Sequence, residues 1–384
     1  MAGNTITNVL PKLLAQGLLA LRERAIMPRL INTSYSNLAA MPGNVINVPL
    51  PDAIAARDVT ASITMNSNVD VTQGVALVTL DFWKEAPFHF SDSDALSVQG
   101  GTRSQNASEA VKSLANAIDQ YILGKHTGFF AQAGTAGTTP FATNINVAAT
   151  VRRKLNENAA PMDDRRVVLD PSAEENALLL SNILQFDQRG DQGGIINGTI
   201  GRKLGMDWYM DQNVQTYTIG TGWTTGFTAS TLSGAVGDTT LKITNTTASG
   251  TVKVGDIFSY SGDDYVITAA ATASATVPFT VSFYPALKTG IDTGTAVTVV
   301  GIDVTASYVA NMVFHRDAMA WASRPLADSS IPNAGNIITS QVDPVSGVAL
   351  RLEVSRQYKQ TTYSYDVLGG SNWVRRELGS KILG

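Results

Sequence analysis

Carboxylate pairs, histidines and clustered glycines are the residues of this 384-residue chain whose types admit chemistry. Asp163 with Asp164, Glu174 with Glu175, and Asp263 with Asp264 carry groups suited to acid–base work or to a hard cation. Chain neighbours point apart on helix and strand alike, so one site rarely receives both. Each pair also falls in a turn or at a helix start, where acids serve as caps and dipole partners. The Asp263-Asp264 loop lacks the Asp-x-Asp-x-Asp-Gly order of a calcium hand. A glycan-cleaving enzyme would need two carboxylates brought together in one cleft.

His89, His126 and His315 are candidate bases, but no Gly-x-Ser-x-Gly elbow or other nucleophile context accompanies them. Gly193, Gly194, Gly198, Gly201 and Gly205 invite a phosphate-loop reading. No Gly-Lys-Ser/Thr follows them, and Arg202-Lys203 stands in the wrong place. Their spacing also fails the dinucleotide fingerprint. A mobile loop or a subunit-contact loop accounts for them better. Asn-x-Ser/Thr at Asn32, Asn106, Asn197 and Asn245 reads as chance, since no secretion signal is present.

Composition narrows the classes further. There is no cysteine, which excludes disulfides, thiolate metal sites and a cysteine nucleophile. Net charge is −4, which gives no bulk attraction to nucleic acid. No apolar run reaches the roughly 18 residues of a membrane helix. The N-terminal stretch lacks the basic region and long apolar core of a secretory signal. Charged residues are only 16% of the chain. So little charge predicts a surface hidden against copies of itself.

The elements follow from periodicity. Leu10, Leu14, Leu18, Leu21 and Ala25 predict an amphipathic helix, with Thr7 as N-cap and Pro28 ending it. Arg22, Arg24 and Arg29 read as its solvated face or as partners of the C-terminal dipole, with binding to an acidic partner as the alternative. Val45, Ile46, Val48 and Leu50, then Val69, Val71, Val75, Leu77, Thr79 and Asp81, predict a long β-ribbon with a bulge or kink at Gly74. Such a ribbon is marginal alone and needs a neighbour to lie on. Ala107, Val111, Leu114, Ile118 and Ile122 make one stripe of a long helix over residues 102–126, started by the capping box Thr102 and Gln105.

Residues 147–220 read as α/β: a helix around Val151 and Leu155, a strand over 166–170, then Asp170-Pro171 starting a helix. From about residue 216 to 301 the chain turns Thr-, Gly- and Val-rich. Strands are predicted there at 240–244, 257–260, 265–268, 277–284 and 296–300, which suggests a small barrel or sandwich. Its aromatics, including Trp223, Phe258, Tyr265 and Phe283, argue for a core rather than a linker. Leu350, Leu352 and Val354, then Tyr358, Tyr363, Tyr365 and Val367, predict long C-terminal strands.

Helix, ribbon, long helix, α/β body, β-insertion, body again, C-terminal strands: this order resembles the major capsid (coat) proteins of tailed bacteriophages, with the Hong Kong 97 fold. The insertion is similar to the branch typified by the Salmonella podovirus P-twenty-two coat protein, though shorter. Local stretches resemble it too: Arg165-Arg166-Val167-Val168-Leu169-Asp170-Pro171, Ile200-Gly201-Arg202-Lys203-Leu204-Gly205-Met206-Asp207-Trp208, Phe314-His315-Arg316-Asp317-Ala318, Arg324-Pro325-Leu326, Val342-Asp343-Pro344-Val345-Ser346-Gly347, Val254-Gly255-Asp256-Ile257-Phe258 and Tyr284-Pro285-Ala286-Leu287.

The resemblance implies an α+β fold in five parts. These are an N-terminal arm (1–45), an extended loop (46–85), and a peripheral domain with the spine helix (86–130 and 346–384). An axial domain (131–215 and 302–345) and an inserted β-domain (216–301) complete it. It implies a structural protein with no catalysis, cofactor or metal. Pentamers and hexamers would build an icosahedral shell around double-stranded DNA, without sequence-specific binding and without a membrane. Implied partners are a separate scaffolding protein, a portal and a decoration (cement) protein, with assembly in a bacterial cytoplasm. A β-rich tail, decoration or carbohydrate-binding adhesive protein is the alternative that the insertion alone would favour.

Overall fold

The structure is a computed structural model. It describes residues 9–35, 45–50, 54, 56, 58–59, 73–97, 101–184, 198–223, 228–229, 234–244, 249–274, 277–300, 307–326 and 336–384. Thr7, Val69, Val71, Gly193 and Gly194 lie outside these, as does the capping side chain of Thr102.

The N-terminal helix α1 (Val9–Arg24) buries Leu14, Leu18 and Leu21, as its spacing predicts. Pro28 does not end it. The helix stops at Arg24, and Pro28 sits in the first turn of a second helix, α2 (Met27–Leu30), where a missing N–H costs nothing. Strands β1 (Val45–Leu50) and β2 (Gly74–Thr79) form an antiparallel ribbon. Gly74 makes no bulge there. It pairs in register with Leu50, and Asp81 lies beyond the strand.

Strand β3 (Phe82–Ser91) and the short helix α3 (Asp92–Ser97) lead to the long helix α4 (Gly101–Leu123). Ala107, Val111, Leu114, Ile118 and Ile122 are all buried along one side of α4. That stripe packs against α1, α2, β3 and the C-terminal strands. A 3-10 turn (Gly124–Gly128) follows α4.

The body continues through β4 (Ala131–Gly134), α5 (Asn146–Glu157), β5 (Arg165–Leu169), α6 (Pro171–Leu179) and α7 (Ser181–Leu184). Asp170 caps α6 by accepting from the N–H groups of Ser172 and Ala173, with Pro171 at the first turn, as expected. Next come β6 (Arg202–Lys203), β7 (Met206–Met210) and β8 (Thr216–Thr218). The Thr-rich region supplies β9 (Thr228–Ala229), β10 (Thr240–Thr244), β11 (Gly250–Val252), β12 (Ile257–Tyr260), β13 (Asp263–Ile267), β14 (Ala271–Ala273), β15 (Phe279–Tyr284) and β16 (Thr298–Val299). The chain ends with β17 (Ser307–His315), β18 (Met319–Ser323), β19 (Asn336–Val342), β20 (Ala349–Gln357), β21 (Gln360–Trp373) and β22 (Gly379–Leu383).

Three main sheets result. One runs β4-β22-β17-β5-β7-β6, with β8 also on β17. Its β5 reads as an unbroken apolar run, Val167-Val168-Leu169, because both of its faces are covered. A second sheet runs β18-β21-β20-β19, with β3 on β21. The third, β16-β12-β13-β15-β10-β9, lies in the Thr-rich region beside the pair β11-β14. It has its own core, in which the Phe258, Tyr265 and Phe283 rings meet at 5.1–5.6 Å. Strand pairing crosses the expected domain limits: β18 and β19 join the β20–β21 sheet, whereas β8 and β22 join the sheet of β5.

Candidate functional site

The acid pairs do not form sites. Asp163 and Asp164 are exposed in the turn before β5. Glu174 and Glu175 lie in the first turns of α6, and burial raises the Glu174 carboxyl from its ordinary value. Asp263 faces outward to Lys288 Nζ at 2.7 Å. Asp264 faces inward, where it pairs with Lys154 and accepts from Ser259 Oγ (2.7 Å) and the Gln132 N–H (3.3 Å). Asp264 thus ties β13 to α5 and β4 as a structural anchor.

The histidines are equally dispersed. His89 is exposed on β3. His126 is buried against the Tyr217 ring at 5.4 Å. Burial, and then the Lys381 ammonium, push it down to about 3, so it stays neutral. His315 is buried, and its Nδ1 accepts the Asp317 N–H at 3.2 Å. Among the described residues no three metal-ligating groups converge.

Arg202 and Lys203 are strand residues, not part of a phosphate cradle. Leu204 and Gly205, at φ 53° and 74°, make the tight turn of the β6–β7 hairpin. That turn explains the glycine at 205 without any ligand.

Several buried polar groups escape sequence reasoning. Asp119 of α4 accepts the N–H groups of Ile26 and Met27, both at 3.0 Å, and so satisfies donors at the start of α2. Asp256 accepts from Trp223 Nε1 (2.6 Å), Tyr217 Oη (2.9 Å) and the Gly220 N–H (3.1 Å). Lys381 is wholly buried, with the Gly255 carbonyl at 3.3 Å. Burial pushes its amine down to about 7, against the opposing pull of Asp256 and Asp264. The only hint in the sequence was placement: each is a charged residue inside or beside an apolar run. All of them join segments distant along the chain, and none opens to a reactive cleft.

What remains is a surface. The ribbon buries Ile46, Val48, Val78 and Leu80 against Ala320 and Ala322 of β18. Its base is held close to β21. A Cβ on Gly370 would stand 1.9 Å from the Thr79 carbonyl oxygen, and Asn372 Nδ2 donates to the Leu77 carbonyl at 2.7 Å. The other face carries Val45, Val75 and Leu77, each about half exposed at 49–52%. Among the described residues, β1 and β2 pair only with each other. An open β1 edge and an apolar outer face are what an unaccompanied ribbon cannot stabilise by itself.

No family model matches the chain, and no curated protein matches it. Solved structures do. A chain from Mycobacterium phage Che8 aligns over 93% of this chain and 90% of its own, with 14% identity and a TM-score of 0.53. A chain from the capsid of the cyanophage P-SCSP1u aligns over 94% and 88%, with 12% identity and a TM-score of 0.50. At these identities the likeness establishes the fold: the chain is a mixed α+β protein with the fold of a phage capsid subunit.

Proposed function

We propose that this chain is the major capsid protein of a tailed bacteriophage, a structural subunit and not an enzyme. The observation that carries the reading is the ribbon. One face is seated in the subunit, and the other presents Val45, Val75 and Leu77 with nothing on them among the described residues. Nearly full-length likeness to phage chains supports it. Heterologous contacts between copies close into pentamers and hexamers, which tile an icosahedral shell. Many modest interfaces then add up through multivalency.

In this reading residues 1–45 are an arm and 46–85 the extended loop on a neighbouring subunit. Residues 86–130 with 346–384 form the peripheral domain, 131–215 with 302–345 the axial domain, and 216–301 the inserted β-domain. The shell encloses double-stranded DNA without sequence-specific binding, in keeping with a net charge of −4. Scaffolding, portal and decoration proteins are its partners, and the bacterial cytoplasm is where it assembles.

The test is to express the chain with and without its scaffolding partner and to image the products by negative-stain microscopy. Shells, rings or polymeric sheets are the expected outcome. A strictly monomeric species that binds sugar sinks the proposal.

A further inference from the structure

The loop 253–256, between β11 and β12, meets the 3-10 turn Gly124–Gly128 that follows α4. A Cβ on Gly255 would stand 2.8 Å from Thr127 Cβ. Beside this contact two bases flank one ring. The His126 ring centroid is 5.4 Å from that of Tyr217, and Lys381 Nζ, from β22, is 6.0 Å from the same ring. Tyr217 Oη lies 2.9 Å from both the Val254 carbonyl and Asp256 Oδ1, so the ring is fixed to the loop.

Neither base is provided for as a cation. Lys381 is wholly buried, and an ammonium carries three donors. Its one acceptor among the described residues is the Gly255 carbonyl at 3.3 Å. An imidazolium donates from both nitrogens, yet His126 Nδ1 is buried with no hydrogen-bond partner among the described residues. The nearby carboxylates are engaged elsewhere. Asp256 accepts from Trp223, Tyr217, and the N–H groups of Gly220 and Lys253. Asp264 is held by Lys154, Ser259 and the Gln132 N–H. Both attract the Lys381 charge without reaching it as an ion pair. Lys253 turns away to the Thr218 carbonyl at 3.1 Å. Burial raises Tyr217 and Tyr308, so both stay neutral. A proton on either base is thus served better by water than by this junction.

We propose that the loop 253–256 is an acid-opened latch, in which protonation of Lys381 and His126 is coupled to its release from the 3-10 turn and β22. The sign follows from the affinities of the closed and open forms. Burial takes Lys381 from 10.5 to about 7, and His126 from 6.5 to about 3. Between those limits each opening takes up a proton. The open fraction therefore falls about tenfold per pH unit above pH of about 7 through Lys381. It rises about tenfold per unit of acidification below pH of about 6.5 through His126.

Hydrogen exchange of the soluble full-length chain, read by mass spectrometry from pH 5 to pH 8.5, tests the latch. Rates are divided by the intrinsic rate at each pH to give opening constants. Peptides covering residues 124–132 and 217–223 are expected to open more readily than α4, and about tenfold less at pH 8.5 than at pH 7.5. Lys381→Met is expected to abolish that fall while leaving the rise below pH 6.5. Equal opening at pH 7.5 and pH 8.5 overturns the latch, as does an unchanged fall in Lys381→Met. A junction that opens no more readily than α4 overturns it too. A variant that fails to fold leaves a measurement on the unmodified chain: the Lys381 Cε signal in NMR is expected to titrate near pH 7, and titration near the ordinary 10.5 overturns the proposal.

Discussion

At the scale of single residues, the most informative group is Asp119. Burial, and then the Asp211 carboxylate, raise it from 3.8 to about 7, against the pull of two N–H bonds and of Arg29. The folded subunit therefore holds the proton more tightly than the unfolded chain. The resulting stabilisation is complete below pH of about 4 and fades as pH climbs through about 7. Its full size is on the order of 2–4 kcal/mol. Across pH 4 to pH 8 the urea midpoint of the soluble subunit, taken relative to that of Asp119→Asn, should fall with rising pH; the difference is the readout, because His126, held down to about 3, gives both proteins the opposite slope. Asp211 and Glu174, which burial also raises, and Lys381, which burial lowers, keep their slopes in both proteins. A variant with the wild-type slope would show that another group titrates. The sequence hid this role for a physical reason. Asp119 sits one residue off the Ile118 stripe and reads as solvated. The donors that bury it are 92 and 93 residues earlier.

At the scale of elements, local patterning and long-range pairing separate cleanly. The α4 stripe, the Asp170-Pro171 helix start and β10 and β12 were legible, because each is dictated by neighbours a few residues away. Strand β3 was not, since Lys84, Glu85 and Pro87 break its apolar alternation. Only its register against β21, from Phe82 with Gly369 to Ser91 with Gln360, makes it a strand. Which face of the ribbon is inner was likewise not legible. Val75 and Leu77 look like core residues, yet Val78 and Leu80 are buried, because the pleat is set by the seat on Ala320 and Ala322. Gly370 shows how tight that seat is, with the Thr79 oxygen occupying the place of a side chain. Gly370→Ala must push β2 away from β21 and is expected to cost about 1–3 kcal/mol, as overpacking does. Denaturant midpoints check this. An unchanged midpoint would mean that the ribbon base shifts freely.

At the scale of the whole molecule, the question is what a subunit gains from carrying a ribbon. Within the subunit its gain is confined to the inner face, where Ile46, Val48, Val78 and Leu80 contribute roughly 1.5–3 kcal/mol each by burial. Among the described residues the ribbon's share of that seat comes from β1, β2 and Leu80. Removing residues 46–82 entirely would strip the cover from Ala320 and Ala322 and damage the subunit itself. Removing only residues 51–73, with a short Asn-Gly turn joining Leu50 to Gly74, leaves the seat and the β1–β2 register intact. If residues 51–73 serve contact between copies, the shortened chain keeps its thermal midpoint within a few degrees, yet forms no shells at concentrations where the full chain does. Calorimetry and light scattering on the same samples separate the two effects. Shells of normal size from the shortened chain would move the assembly role away from the ribbon. A collapse in thermal midpoint would instead give the distal segment a folding role inside its own subunit.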